Sequence, residues 1–193
     1  LLFVLGGLLG QRTILFLNVA GATGTVLLFQ LLFVDEADLR PGILIAELLA
    51  FAFAVRFVGL YSVAGYIGID VWTHMGFVNG IRTQNSLVAM ESKYIAAPLY
   101  HLLVAVVTDV SGLAPRNALY LSVGVALTLS GAMVYYGARQ FIEPRWALLA
   151  MGLWLMSSQV IRWGLHVIPT SLGIAFFVPL MAYLVRFLEI GRA

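Results

Sequence analysis

The stretch ILFLNVAGATGTVLLFQLLFV, which runs from Ile14 to Val34, contains no charged residue. A membrane-spanning helix needs about 20 mainly apolar residues, so this stretch predicts a span. Four more apolar windows and the end of another span follow the same pattern: Ile43–Leu60, Ala118–Gly137, Trp146–Ile161, Ser171–Arg186 and Leu1–Gly10. Only 10% of the residues are charged, against about 25% in a soluble domain. The sequence therefore predicts an all-α polytopic membrane protein.

The rest of the composition excludes several classes of function. The chain has no cysteine, which excludes disulfides and thiolate metal sites. Its net charge of +2 is too small to indicate a nucleic-acid partner. The chain begins without Met inside the apolar run LLFVLGGLLG. We therefore expect residues 1–193 to be a single transmembrane domain from a longer protein.

The arginines predict how the spans are oriented. Arg139 and Arg145 share one loop, and Arg186 and Arg192 lie together at the end of the last span. The positive-inside rule places both groups in the cytoplasm if Ala118–Gly137 runs inward. Residues 61–116 and the segment RWGLHVIP are then extracytoplasmic, in an integral protein of the cell membrane.

The apolar run Ile95–Val107 decides this orientation. Stretches of 10–14 apolar residues are often interfacial and do not span, so we expect a helix at the membrane surface. As a span, it would invert everything downstream. The extracytoplasmic loop 61–116 is then predicted to carry two surface helices, one beginning near Asp70 and the other near Pro98.

Polar residues on this side are candidates for a site. Asp70 and His74 lie one helical turn apart, so their side chains share a face. Asp70 could instead be an N-cap, with His74 at the headgroup level. Arg162 and His166 could be interfacial residues that extend to water. Asp70, His74 and His166 nevertheless fall on the same side of the membrane, which favours a site.

Two further polar residues have structural interpretations. His101, three residues after Pro98 on an apolar segment, is expected to be a buried histidine whose hydrogen bonds are satisfied. Arg56 lies near the outer end of its span and is expected to extend outward, although an arginine within a span is also a candidate site residue.

The order of segments resembles a known superfamily. A span with an arginine (FAVRFVGLY, residues 53–61) leads to GID (residues 68–70) and then to APLYHLLVAVVTDVSGLAPRNALYL (residues 97–121). Next come YYGARQF (residues 135–141) and SSQVIRWGLHVIPTSL (residues 157–172). This layout is similar to the N-terminal half of GT-C integral-membrane glycosyltransferases, which include protein O-mannosyltransferases, the lipid A aminoarabinose transferase and oligosaccharyltransferases.

The resemblance implies a GT-C-like helix bundle that transfers a sugar from a polyprenyl-phosphate donor to a lipid, glycan or protein acceptor. An acidic residue early in the first large outer loop is the catalytic carboxylate in that superfamily, and Asp70 holds this position. The second acidic motif has no counterpart, because IRWGLHVIPTS contains no Asp or Glu and His166 is the nearest candidate. Lys93 corresponds to the lysine before the superfamily's paired prolines. No cofactor is therefore firmly predicted, and a divalent metal ion remains an alternative.

The chemistry suggests a role for each residue. A lipid-linked donor keeps its phosphate at the headgroup plane, so the base for an acceptor hydroxyl must lie there. We expect Asp70 to be this base and His74 to orient it or the acceptor. Cationic groups stabilise a leaving phosphate, a role for Arg162, His166 and Lys93. The alternative function is a transporter or flippase for a lipid-linked or small-molecule substrate.

Overall fold

The chain is all-helical in the computed structural model, which describes residues 14–61, 65–90 and 92–190. The predictions on Leu1–Gly10 and Arg192 fall outside these residues. In chain order the helices are α1 (Ile14–Phe33), α2 (Pro41–Tyr61), α3 (Ile69–Gln84), α4 (Ser92–Ile95), α5 (Leu99–Ser111), α6 (Pro115–Ala138), α7 (Pro144–Met156), α8 (Ser158–His166) and α9 (Pro169–Ile190). The described part of the chain contains no strand. The predicted all-α class is confirmed.

Four of these helices, α1, α2, α6 and α9, are long and apolar enough to cross a membrane. Their positions agree with four of the predicted spans. The fifth window, Trp146–Ile161, was wrong as a single helix, because α7 and α8 separate at Ser157, whose backbone is extended. Helix α6 is continuous but includes a π-helical turn at Tyr120–Gly124.

Helices α6 and α9 run in the same direction. Tyr120 and Val123, near the start of α6, share a core cluster with Leu172, near the start of α9. Gly137, at the end of α6, faces Ala182 of α9, because a Cβ built on Gly137 would stand 3.4 Å from the Ala182 Cβ. Since the two helices are parallel, the α7–α8 segment between them must return over the same distance.

One end of the bundle, which we call the arginine end, holds Arg40, Arg139 and Arg145. The Arg145 guanidinium donates hydrogen bonds to the carbonyl oxygens of Leu31 and Leu32, at 3.2 and 2.7 Å, and to that of Val34. These carbonyls belong to the end of α1, where the last four have no partner within the helix. Arg145 therefore caps α1 from the start of α7.

The opposite end holds α3, α4 and α5, which pack onto the starts of α6 and α9. Their shared core is mainly aliphatic and aromatic: Val71, Met75, Val78, Tyr100, Val104, Tyr120 and Leu172. The predicted helices of the 61–116 loop begin at Ile69 and Leu99. The second one ends at Ser111, so its predicted range Ile95–Val107 was displaced by four residues. Its position at a membrane surface stays a prediction.

Candidate functional site

Helix α3 begins with an unusual glycine. Gly68 is the N-cap, with φ 90° and ψ 155°, and makes no side-chain capping hydrogen bond. This region of backbone conformation is open essentially only to glycine. Asp70 lies in the first turn, with its side chain exposed. The interpretation of Asp70 as the N-cap was therefore wrong, and its carboxylate is available at the surface.

One turn further along, His74 is buried and paired with a second histidine. The side chain of His74 is 5% exposed and that of His101 is 1% exposed. The Nδ1 atom of His74 lies 3.0 Å from the Nε2 atom of His101, within hydrogen-bond distance. The rings of Tyr94 and Tyr100 make edge-on contacts with the His74 ring, at interplanar angles of 81° and 68° and centroid distances of 5.1 and 5.6 Å. Aromatic rings thus enclose the pair.

This environment keeps both imidazoles neutral. Burial lowers the pKa of His74, while Asp70 opposes the shift and Lys93 adds to it. Burial, with His74 as a second cause, lowers the pKa of His101 to about 4. Desolvation disfavours the charged form of a histidine, so neither ring carries a full charge at neutral pH.

A chain of contacts returns from this pair to the start of α3. The Tyr100 hydroxyl donates a hydrogen bond of 2.7 Å to the carbonyl of Val167. The preceding residue, His166, places its ring against Gly68, because a Cβ on that glycine would stand 3.2 Å from His166 Nδ1. Val167 has φ 46°, a strained conformation for a β-branched residue. The end of α8 is thereby held against the beginning of α3.

The two remaining candidates are placed differently. Lys93 Nζ lies 4.8 Å from the centroid of the Tyr94 ring, and that ring contacts His74. Arg162 is exposed on α8, one turn before His166. The structure therefore brings Asp70, His74, Lys93 and His166 to the same end of the bundle. We call it the histidine end, defined by these four residues and His101.

The expectation for Arg56 was wrong, because its side chain does not extend outward. It is only 1% exposed. Its guanidinium donates to the Thr128 hydroxyl from Nη1 at 3.0 Å and to the Leu155 carbonyl from Nη2 at 2.7 Å. Leu155 lies in the last turn of α7, whose carbonyls lack partners within the helix. Gly164 allows α8 to approach, since a Cβ there would stand 2.5 Å from Arg56 Cδ.

The structure confirms that His101 is buried, but the expectation that its hydrogen bonds are satisfied was wrong for Nδ1, which has no partner among the described residues. The pairing of His101 with His74 was not predicted, and the alternative that placed His74 at the headgroup level was wrong, because His74 is buried. A signal for the burial of His74 was present. The buried residues of α3 follow helical spacing on one face, and His74 lies on that face: Val71, His74, Met75, Val78 and Ile81. This stripe predicts a buried histidine. The pairing joins residues 27 positions apart, so it depends on how α3 packs against α5.

Comparison with known proteins adds no further assignment, because no protein-family model, curated protein or solved structure matches this chain. Among the described residues, no three His, Cys, Asp or Glu side chains form a group that could hold a metal ion.

Proposed function

We propose that the protein is a membrane glycosyltransferase that moves a sugar from a polyprenyl-phosphate donor to an acceptor on the extracytoplasmic side. One observation carries the proposal. An exposed carboxylate, Asp70, lies at the same end of the helix bundle as Lys93, His166 and the buried His74. These residues come from three separate helices, so packing has gathered them.

Asp70 supplies the base in this proposal. Its carboxylate takes the proton of an acceptor hydroxyl as the oxygen attacks the anomeric carbon, and the bond from that carbon to the phosphate oxygen breaks. General bases act within hydrogen-bond reach of the proton they remove. An exposed carboxylate at the end of a bundle can reach a hydroxyl at the headgroup plane.

The cationic groups act on the leaving phosphate. Lys93 is exposed beside Tyr94, and Arg162 is exposed one turn from His166. Positive groups aimed at developing negative charge are a large contribution to catalysis. A site with one carboxylate and several cationic or hydrogen-bond donor groups suits a pair of substrates, one of which presents a hydroxyl and the other a phosphate.

The lipid part of the donor fits the remainder of the molecule. Helices α1, α2, α6 and α9 present apolar side chains outward, including Phe29, Phe177 and Leu180, each more than half exposed. A polyprenyl chain can follow such a surface, while its phosphate stays at the histidine end.

A second candidate function, a transporter or flippase, is favoured by a different observation. Transporters form their sites near the membrane midplane from discontinuous helices. The α7–α8 segment is interrupted at Ser157, and the buried Arg56 binds a carbonyl beside the interruption. Both Nη atoms of Arg56, however, already donate hydrogen bonds within the protein, which favours a structural role for this arginine over substrate binding.

The two candidates separate in one reconstitution experiment. The full-length protein is placed in liposomes with a radiolabelled polyprenyl-phosphate sugar in the inner or the outer leaflet. If the protein is a glycosyltransferase, the label passes from the lipid to a hydroxyl acceptor when the acceptor is supplied on one side of the membrane but not when it is supplied on the other. A flippase predicts that intact labelled lipid changes leaflet and no acceptor becomes labelled. Leaflet exchange without transfer would overturn the proposed function.

A further inference from the structure

The hydrogen bond between the two buried histidines restricts how their protons are arranged. A neutral imidazole has one N–H donor and one bare acceptor nitrogen. In the bond between His74 Nδ1 and His101 Nε2, one ring must donate and the other accept. Two arrangements are therefore possible for a pair of neutral rings.

The environment of His101 Nδ1, the nitrogen that does not face His74, distinguishes these two arrangements of protons. His101 Nδ1 is buried and has no hydrogen-bond partner among the described residues. If His74 donated, His101 would carry its proton on Nδ1 and bury an N–H without an acceptor. If His101 donates, Nδ1 is a bare acceptor. Buried orphan N–H groups are rarer than under-satisfied acceptors, and thus the second arrangement is preferred.

We infer that His101 is a positioning residue that donates from Nε2 to His74 Nδ1 and thereby fixes His74 as a neutral donor, with its proton on Nε2, for an oxygen of the substrate phosphate. This assignment rests on the proposed function for the identity of the ligand. It gives His74 a hydrogen bond to the phosphate in place of the expected role of orienting Asp70 or the acceptor, and it leaves Asp70 as the base.

The surroundings of His74 are consistent with a phosphate ligand. Asp70 lies one turn before His74 on α3, and Lys93 Nζ lies 4.8 Å from the centroid of the Tyr94 ring, which contacts His74. Tyr94 and Tyr100 contact its ring without changing its charge. A donor N–H beside an ammonium group is suited to an anionic oxygen. The lowered pKa of His74 supports the neutral form.

The tautomer can be read directly by ¹⁵N NMR of the full-length protein labelled with ¹⁵N-histidine. The chain described here has three histidines, and single His→Gln variants assign their signals. The inference predicts that His74 shows a bare Nδ1 and a protonated Nε2 at neutral pH. A protonated Nδ1 on His74 would overturn it, whether or not the protein transfers sugar.

Kinetics with two variants of His101 test the consequence for the substrate. His101→Gln keeps a donor N–H near the Nε2 position, whereas His101→Leu keeps the volume but has no donor. Losing the hydrogen bond from His74 to the phosphate of the polyprenyl-phosphate sugar should raise KM about tenfold, equivalent to roughly 1.4 kcal/mol of binding free energy. We expect this rise in His101→Leu, and a KM within about twofold of wild type in His101→Gln.

The outcomes separate the inference from the proposed function. Equal KM values in wild type and His101→Leu, with both folded, would overturn the positioning role. If His101→Leu does not fold, the NMR result on the wild-type protein still decides the tautomer. If the wild-type protein transfers no sugar but His74 has its proton on Nε2, the proposed function fails and the tautomer assignment stands.

Discussion

Charged side chains at the two ends of the bundle are used differently. At the arginine end, Arg145 binds the carbonyls that terminate α1, and Arg139 donates to the carbonyl of Ile142 at 2.6 Å. At the histidine end, Asp70 and Lys93 are exposed. The first set completes backbone hydrogen bonds of the fold, whereas the second lies around a buried histidine pair.

The largest effect on stability is expected at the arginine end. Arg145→Met keeps the apolar stem but removes the hydrogen bonds to the end of α1. A buried hydrogen bond to a charged group contributes about 1.5–3 kcal/mol. Because Arg145 is only half-buried, water replaces part of what its three bonds contribute, and we expect the free energy of unfolding to fall by less than their sum, by about 2–4 kcal/mol. Thermal and denaturant unfolding in detergent measure this change.

Arg186→Met is the matched control, because Arg186 is exposed near the end of α9. Exposed substitutions usually change stability by about 0.5 kcal/mol or less. Sugar transfer per folded molecule should be unaffected in both variants. Loss of transfer in well-folded Arg145→Met would break the distinction between the two ends.

A pair of glycines gives the next largest effect, at the histidine end. Gly68→Ala places a methyl group 3.2 Å from His166 Nδ1 at a φ of 90°, and Gly112→Ala meets nothing within 4 Å at a φ of 67°. Each unfavourable backbone conformation costs about 1–3 kcal/mol. Both variants should lose stability, but only Gly68→Ala should displace His166 and lower transfer. Equal transfer by the two variants would argue against a role for His166.

A smaller effect is expected on stability when the pH is lowered. An unfolded histidine has a pKa near 6.5, and burial lowers that of folded His101 to about 4. Between these values the unfolded state binds the proton more readily, so stability should be full above pH 6.5 and decline as pH falls towards 4. His101→Gln cannot titrate, and its stability should decline less over this interval. Parallel melting curves for wild type and variant would contradict the burial of His101.

The sequence predicted those parts of the fold that depend on local composition. Runs without charge, such as Ile14–Val34, are sufficient to indicate spans. The break at Ser157 was not predicted, although three consecutive polar residues, 157–159, interrupt the apolar run there. What stabilises the end of α7 there is Arg56, which belongs to another helix.

The candidate site was predicted in part, for the same reason. Asp70 and His74 are four positions apart, so helical geometry relates them directly. The contacts of His74 with His101, and of His166 with Gly68, join distant segments. They depend on how α3, α5 and α8 pack, and periodicity within a single segment does not specify that packing.

The most direct measurement of the central claim is sugar transfer by Asp70→Asn. Asparagine keeps the shape of the side chain but cannot accept the proton, so turnover from a polyprenyl-phosphate sugar should fall by roughly 10²–10⁴-fold while the protein accumulates normally. Asp109→Asn is the matched control. Asp109 is an exposed aspartate of α5, paired with Arg82 at 2.6 Å, and surface ion pairs contribute about 0–1 kcal/mol. The account predicts near-normal turnover for Asp109→Asn, and turnover by Asp70→Asn within a few-fold of wild type would contradict it.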